Sequence, residues 1–239
     1  LKIEKIVQRR PICWRSKNPV EFVPMKEIYL KQVEFKDDIL QMADQMTFFA
    51  PESKQILVDW IKSVGIDWVI SRRRYYGTEI PMWYCKKCNY IYVPQPGKYY
   101  QPWKEKAPFE RCDCGSKEFV GDQRTFDTWF DSSGSGLYII GYMRDDELFK
   151  QSFPSSLRPQ GIDIVRNWLY YSVLKTFLLF KQPAFHYVWL SGMGLDAKGE
   201  AMHKSKGNAV YSDTMFQKYG ADAFRFWSAS EAKLGSNYR

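Results

Sequence analysis

The spacing of apolar residues along the chain changes from helical to extended several times. Over residues 51–65 apolar side chains recur at the spacing of one helix face, with Pro51 suited to the first turn and Gly65 suited to the end. The more polar stretch 36–46 is also predicted to be helical. The first quarter of the chain is therefore expected to contribute helices.

Short apolar runs between the helical segments predict buried strands. They are "DWVIS" (67–71), "TFDTWF" (125–130) and "FHYVWLSGMG" (185–194). The segment 156–163 is expected to lead into an apolar helix over 164–180. Strands that alternate with helices favour an α/β fold with a parallel sheet.

Polar loops follow these strands or lie beside them. They read "RRRYYG" (72–77), "DSSGSG" (131–136), "QGID" (160–163) and "KSKGN" (204–208). Ligands of parallel α/β sheets bind beyond the carboxyl ends of the strands, so we expect these loops to converge on one face.

The carboxyl-terminal part of the chain predicts a pair of helices. Residues 212–230 show helical spacing, with Ser212 or Asp213 as the capping residue and Gly220 at the break.

The longest apolar stretch does not predict a membrane span. It covers residues 167–180 and is interrupted by Asn167, Ser172 and Lys175. It is too short and too polar to cross a bilayer, so we interpret it as a buried helix and expect no membrane partner.

Composition excludes a disordered chain, because 45% of the residues are hydrophobic and 17% are aromatic. The net charge of +8 favours a polyanionic partner such as nucleic acid or nucleotide phosphate. A solvated basic surface explains the same charge equally well.

Two close pairs of cysteines predict a metal site. Cys85 and Cys88 form "CKKC", and Cys112 and Cys114 form "CDC". Four thiolates at such spacing can surround a structural Zn²⁺, and they leave no open position for catalysis. Free thiols are the alternative. Either state indicates a reducing compartment, and we expect a cytoplasmic location.

The loop "AMHKSKGN" (201–208) contains little that could be buried. A lysine at its centre, Lys204, is a mobile charge that can follow phosphate oxygens, and Gly207 and Asn208 can shape the loop around it. By itself a short basic loop of this kind is more often only a solvated turn.

In its wider context the loop resembles a known motif. Residues 195–210, "LDAKGEAMHKSKGNAV", resemble the KMSKS region of class I aminoacyl-tRNA synthetases. Further blocks resemble the valyl-tRNA synthetases, and the archaeal type in particular. These blocks are "CWRSKNPVEF" (13–22), "DWVISRRRYYGTEIPMWYC" (67–85), "FDTWFDSSGS" (126–135), "LRPQGIDIVRNWLYYSV" (157–173) and "ADAFRFWSASEAKLGSNYR" (221–239).

The resemblance implies a fold and a division of the chain. The expected fold is the second half of a class I synthetase Rossmann-like parallel sheet with an inserted zinc-binding lobe. Residues 1–84 re-enter and begin this half, residues 85–124 form the zinc-binding insertion, and residues 125–239 form the nucleotide-binding part and the start of a helical region.

The resemblance also implies an activity. The family uses ATP and Mg²⁺ to activate an amino acid, here valine, and transfers it to tRNA, here tRNA(Val). Lys204 and Ser205 match catalytic positions of the KMSKS loop. The implied ATP-binding residues are Gly161, Asp163, Gly192, Met193, Lys204, Gly207 and Asn208. An ordinary helix start is the alternative for Asp163.

The loop departs from the family pattern at two positions. Ala201 stands where a lysine is usual, and His203 stands where a serine is usual. Loss of one cation is expected to weaken the grip on pyrophosphate, and Lys206 is expected to compensate in part.

The amino-acid pocket is implied at Tyr76 and Trp129, because both match pocket-wall positions of the family. Tyr75 is the alternative to Tyr76. An aromatic side chain in an apolar strand is more often part of the core, so the pocket assignment depends on the resemblance.

The HIGH motif of the family is not present in the sequence. We therefore expect the chain to need an N-terminal half of the catalytic domain and an editing domain as partners, and to be nearly inactive alone. An isoleucyl-tRNA synthetase fragment and a non-catalytic module that binds tRNA or a partner protein are the alternatives at this point.

Overall fold

The computed structural model describes residues 3–13 and 16–239. The resembling stretch 13–22 is therefore covered in part, and its residues 14 and 15 lie outside the described residues.

The helices fall largely where apolar spacing predicts them. Their bounds are α1 Lys36–Asp44, α2 Lys54–Ser63, α3 Thr128–Ser132, α4 Ser135–Ile139, α5 Asp146–Ser152, α6 Tyr170–Phe180, α7 Ser212–Tyr219 and α8 Ala221–Glu231. A 3-10 turn over Pro51–Ser53 precedes α2, and a π-helical turn over Val165–Leu169 runs into α6.

The strands are short apart from two of seven residues each. Their bounds are β1 Tyr29–Leu30, β2 Thr47–Phe48, β3 Trp68–Val69, β4 Ser71–Arg72, β5 Trp83–Cys85, β6 Ile91–Tyr92, β7 Phe119–Gly121, β8 Thr125–Phe126, β9 Ser155–Gly161 and β10 Phe185–Ser191.

A parallel sheet in the order β2-β10-β9 is the element that organises the fold. Strand β10 lies in the middle, and Phe185 to Ser191 pair with Ser155 to Gly161 of β9. The predicted α/β class with a parallel sheet is confirmed.

Two predicted strands are wrong in part. Segment 67–71 forms β3 and β4, which pair antiparallel with β1 and β8 and lie outside the parallel sheet. Segment 125–130 is extended only at β8, because Asp127 caps the helix α3 that begins at Thr128.

One further expectation is corrected at the edge of an element, and another is met. Segment 156–163 forms most of strand β9 and leads, through a 3-10 turn at Ile162–Ile164, into the helical stretch that ends at Phe180. Helix α7 is not capped by Ser212 or Asp213: the capping position is Tyr211, which makes no side-chain capping bond. Gly220 ends α7 with φ of 86°, as predicted.

The hydrophobic core lies between the middle strand β10 and helices α1, α2 and α6. Ile39 of α1, Leu57 and Ile61 of α2, and Val173 of α6 are fully buried there, and Val188 and Leu190 of β10 are 1% exposed. The predicted apolar face of 51–65 is the face that packs into this core.

A second, antiparallel sheet in the order β6-β5-β7 carries the cysteines. An ion-pair cluster connects it to the amino-terminal segment, because Arg124 pairs with Asp122 at 2.6 Å and with Glu27 at 3.3 Å. Arg124 and Tyr84 hold the pKa of Asp122 below the usual aspartate range, although burial acts against them.

Within the described ranges, none of the helices has the length and apolar content that crossing a membrane requires.

The core predicts which isoleucine determines stability. Ile61→Ala removes a fully buried side chain and should cost about 2–5 kcal/mol of unfolding free energy, because it leaves a cavity. Ile66→Ala, at a position that is 75% exposed, is the matched control and should change stability by less than about 0.5 kcal/mol. Urea unfolding of the chain measures both. Equal losses in the two variants would contradict the assigned core.

Candidate functional site

The carboxyl end of the parallel sheet brings two of the predicted motifs together. Gly161, the last residue of β9, is the register partner of Ser191, the last residue of β10. The Ser191 hydroxyl also donates to the carbonyl of Gln160 at 3.2 Å. Segments 160–163 and 191–194 therefore leave the sheet side by side.

Asp163 stands directly beyond β9 in the first turn that follows it. The side chain is exposed, and the capping position of this turn is Gly161, so Asp163 is not its capping residue. Its Oδ1 lies 2.4 Å from the position a Cβ on Gly161 would take, so the carboxylate folds back over the glycine. Within the described part of the chain this carboxylate has no hydrogen-bond partner and is available to a ligand.

The carboxyl-terminal segment of the chain packs against Gly192 and bonds to the backbone of Met193. A Cβ on Gly192 would lie 1.6 Å from the carbonyl oxygen of Ser236. The Met193 amide donates to Oδ1 of Asn237 at 2.9 Å, and its carbonyl accepts from Tyr238 N at 3.0 Å. The glycine at 192 is thus required by close backbone packing inside the chain.

A hairpin follows at residues 194–202. Leu195 and Ala201 form a β-bridge, and the Met202 amide donates to the Gly194 carbonyl at 3.2 Å. Asp196 holds the turn, since its Oδ1 accepts from the amides of Lys198 and Glu200 at 2.9 and 2.8 Å.

Asn208 fixes the returning end of the basic loop to this hairpin. Its amide nitrogen donates to Asp196 at 2.8 Å and to the Ala201 carbonyl at 3.2 Å, and its oxygen accepts from the His203 amide at 2.9 Å. The bond from Asn208 and those from the hairpin amides lower the pKa of Asp196 below its ordinary value. The loop is thus closed at its base.

The departures from the family pattern fall on residues that contribute backbone groups to this closure. Ala201 supplies its carbonyl and His203 its amide, and neither bond depends on the side chain. The structure of the loop base therefore tolerates both departures. The absence of a lysine at position 201 changes the charge of the loop and not its hydrogen bonds.

Lys204, Ser205 and Lys206 form one exposed 3-10 turn at the tip. Gly207 ends it with φ of 71°, in the left-handed region that glycine adopts without strain. The Lys206 ammonium lies 3.8 Å from Glu200, whereas the Lys204 ammonium has no ionic or hydrogen-bond partner among the described residues. The loop presents one uncommitted ammonium group on a fixed base.

Tyr76 and Trp129 lie on neighbouring segments but in different surroundings. Tyr76 is 85% exposed, with its ring centroid 5.0 Å from that of Tyr75. Trp129 is half-buried in α3 and packs against the core. Strand pair β4–β8 joins the two segments, since Arg72 is the register partner of Thr125.

Asp127 connects the same two segments and is a residue that sequence reasoning missed. It is 8% exposed, pairs with Arg72, and accepts from the Trp129 amide at 2.8 Å. An aspartate before a short helix is a capping signal. Because the sequence predicts a strand over 125–130, it gives no reason to expect a capping residue there.

The four predicted metal ligands are brought together at one end of the antiparallel sheet. All their sulfur atoms lie within 4.8 Å of one another, and the Cys85–Cys114 and Cys88–Cys112 pairs are 3.6 and 3.5 Å apart. Zinc–sulfur bonds of about 2.3 Å in a tetrahedron require sulfur separations of about 3.8 Å. The group fits a tetrahedral metal ion.

Tight turns support the sulfur atoms. Asn89 and Gly115 adopt φ of 57° and 84°. The amides of Cys88 and Lys87 point at the Cys85 sulfur and lower the pKa of its thiol to about 6. A thiolate is the form that ligates metals.

Comparison with known proteins supports the same fold and family. The family model described as tRNA synthetases class I (I, L, M and V) matches residues 15–239. The chain is 49% identical over 244 residues to Valine--tRNA ligase of Pyrobaculum aerophilum, which covers 100% of this chain and 30% of that protein. It is 48% identical over 242 residues to Valine--tRNA ligase of Aeropyrum pernix, covering 100% of this chain and 29% of that protein. The chain thus spans about 30% of the length of these curated relatives.

Solved structures share the architecture. LeuRS of Agrobacterium radiobacter K84, in a ternary complex with tRNA and LeuAMS, has a TM-score of 0.57 at 25% identity and covers 73% of this chain and 25% of that chain. Methionyl-tRNA synthetase of Mycobacterium tuberculosis with methionyl-adenylate has a TM-score of 0.63 at 18% identity and covers 95% of this chain and 38% of that chain. The resemblance drawn from the sequence is confirmed, and since the family model covers nearly the whole chain, this protein belongs to the class I tRNA synthetases.

Proposed function

We propose that the chain is the carboxyl-terminal half of the catalytic domain of a valine–tRNA ligase. In the complete enzyme, an oxygen of the valine carboxylate attacks the α-phosphorus of ATP, and the bond to the bridging oxygen breaks so that pyrophosphate leaves. A ribose hydroxyl of tRNA(Val) then attacks the carbonyl carbon of valyl-adenylate, and AMP leaves. The identities of 49% and 48% to valine–tRNA ligases support valine over isoleucine.

The observation that carries the ATP step is the pairing of an uncommitted anion and an uncommitted cation beyond the same sheet edge. Asp163 follows β9, and the loop of Lys204 follows β10. A free carboxylate accepts bonds from ribose hydroxyls, and a free ammonium neutralises departing phosphates. Mg²⁺ bound to the phosphates shares that neutralisation.

The roles within the loop follow from its contacts. Lys204 stabilises charge that develops on the β- and γ-phosphates, and Ser205 presents its hydroxyl beside it. Gly207 and Asn208 hold the loop base, which lets the tip approach phosphate without losing its anchor. Gly161, Gly192 and Met193 contribute backbone to the floor of the nucleotide site, and the close packing of Gly192 supports a rigid floor.

The amino-acid side of the site is proposed at Tyr76 and Trp129. Valine needs flat apolar walls that leave no room for a further methylene, a discrimination of about 1–3 kcal/mol. The exposed ring of Tyr76 supports this role, because an aromatic side chain that is 85% exposed gains stability when a ligand and the other half of the domain cover it.

The cysteine cluster is proposed to hold a structural zinc ion. Zinc, when bound by four thiolates, cross-links the two turns of the antiparallel sheet. The chain division at residues 84/85 and 124/125 belongs to the same proposal and is supported by the sheet β6-β5-β7, which runs from Trp83 to Gly121. Reduced, closely spaced thiols also support a cytoplasmic location.

Valine-dependent ATP–pyrophosphate exchange by the full-length enzyme tests the activity and the role of Lys204. Exchange should favour valine over isoleucine by about 10- to 200-fold. Lys204→Ala should lower kcat by about 10²- to 10³-fold, because a group that stabilises the transition state is lost.

Lys198→Ala is the control for this measurement, because Lys198 is an exposed lysine of the same hairpin. An unchanged rate in Lys204→Ala would remove the assigned role. Absence of valine-dependent exchange in the full-length enzyme would favour a non-catalytic module, and exchange in the 239-residue chain alone would contradict its assignment as half of a domain.

The zinc proposal predicts metal content of the purified chain. Under reducing conditions about one equivalent of zinc should co-purify, and Cys88→Ser or Cys112→Ser should reduce it below half an equivalent. Cys13→Ser is the matched control and should retain the metal, because Cys13 is not part of the four-sulfur group. Atomic absorption measures all four samples. Less than half an equivalent in the unmodified chain would count against four-thiolate ligation.

A further inference from the structure

Residues 234–238 run along the carboxyl end of β10 as a segment that turns at Gly235, where φ is 68°. Leu234 forms an antiparallel bridge with Ser191, and the Gly235 amide donates to the Leu190 carbonyl at 2.8 Å. Further along, the Leu195 amide donates to the Tyr238 carbonyl at 2.8 Å. The segment thus follows the backbone from the end of the sheet to the start of the hairpin.

Asn237 is the residue of this segment whose side chain bonds to that backbone. Its Oδ1 accepts from the Met193 amide at 2.9 Å, and the Met193 carbonyl is held by the Tyr238 amide at 3.0 Å. Both polar backbone groups of Met193 are therefore fixed. An amide that loses its acceptor in this turn must find water or allow the turn to move.

Close packing at Gly192 couples the backbone after β10 to segment 234–238. A Cβ there would lie 1.6 Å from the Ser236 carbonyl oxygen and 2.7 Å from the Asn237 nitrogen. Backbone lies directly on backbone, so a displacement of segment 234–238 is transmitted to Gly192 without slack.

The same segment supports the hairpin that carries the basic loop. A cavity of about 790 Å³ separates the hairpin residues Leu195 and Met202 from Phe224 and Trp227 of α8. On this side the hairpin is therefore only partly in contact with the helices. Tyr238 fills part of the gap, because its ring lies 3.6 Å from the position of a Cβ on Gly194.

We propose that Asn237 is a positioning residue of the nucleotide site: its bond to the Met193 amide fixes the backbone at the end of β10 and, through it, the hairpin that presents Lys204. The role rests on the proposed ATP-dependent activation. The role concerns the nucleotide side of the site. Loss of the bond should therefore weaken the binding of ATP and leave the binding of valine largely unaffected.

Three variants separate this role from a general effect on folding. Asn237→Ala removes the acceptor, Asn237→Asp keeps an oxygen that can accept from Met193, and Ser236→Ala changes an exposed neighbour whose side chain makes no bond within the described residues. Each is made in the full-length enzyme, and thermal unfolding verifies that all three are folded.

Hydrogen exchange of the Met193 amide and the KM values for ATP and valine in pyrophosphate exchange are the readouts. Asn237→Ala should accelerate exchange of the Met193 amide and raise the KM for ATP by about 3- to 10-fold, the effect of one hydrogen bond. The KM for valine should change by less than about 2-fold. Asn237→Asp keeps the acceptor, so exchange of its Met193 amide should stay as slow as in the unmodified enzyme, and Ser236→Ala should match the unmodified enzyme in both readouts.

An unchanged Met193 amide in Asn237→Ala would overturn the proposal, and so would equal increases of the KM values for ATP and valine. If the unmodified enzyme shows no valine-dependent exchange, the proposed function fails. The Met193 amide then still decides whether Asn237 holds this backbone.

Discussion

The parallel pairing of β9 with β10 is the constraint on which the rest of the site depends. Because Gly161 and Ser191 are register partners, the segments that follow them emerge side by side at one edge of the sheet. A slip of one residue would turn Leu190 and Val188 out of the core, so burial of these side chains fixes the register. The stability of the core thus determines where Asp163 and the basic loop begin.

The loop itself combines a fixed base with a free tip. Asn208 and Asp196 bond the base to the hairpin through several hydrogen bonds, whereas Lys204 is left exposed. A lysine that stabilises the charge developing on phosphate must be free to approach it. A lysine already paired with a carboxylate would have to break that pair first, so the free tip and the fixed base are both needed. The proposed chemistry therefore requires few residues but several backbone contacts behind them.

Much of this arrangement could be predicted from sequence where local chemistry decides the structure. The apolar face of α2, the break at Gly220 and the paired cysteines are signals carried by neighbouring residues. The missed features depend on distant partners. Strand β9 contains Pro159 and polar residues, and only its pairing with β10 makes it extended. The contact of Asn237 with Met193 joins residues far apart in sequence, and no local pattern indicates it.

The central claim is that one sheet edge holds the whole nucleotide, with ribose at the end of β9 and phosphates at the loop beyond β10. A crystal structure of the full-length enzyme with valine and a non-hydrolysable ATP analogue tests it most directly. The account predicts a ribose hydroxyl bonded to Asp163 and a β- or γ-phosphate oxygen within about 4 Å of Lys204 Nζ. A nucleotide bound with its polyphosphate far from the backbone of residues 204–208 would contradict the account.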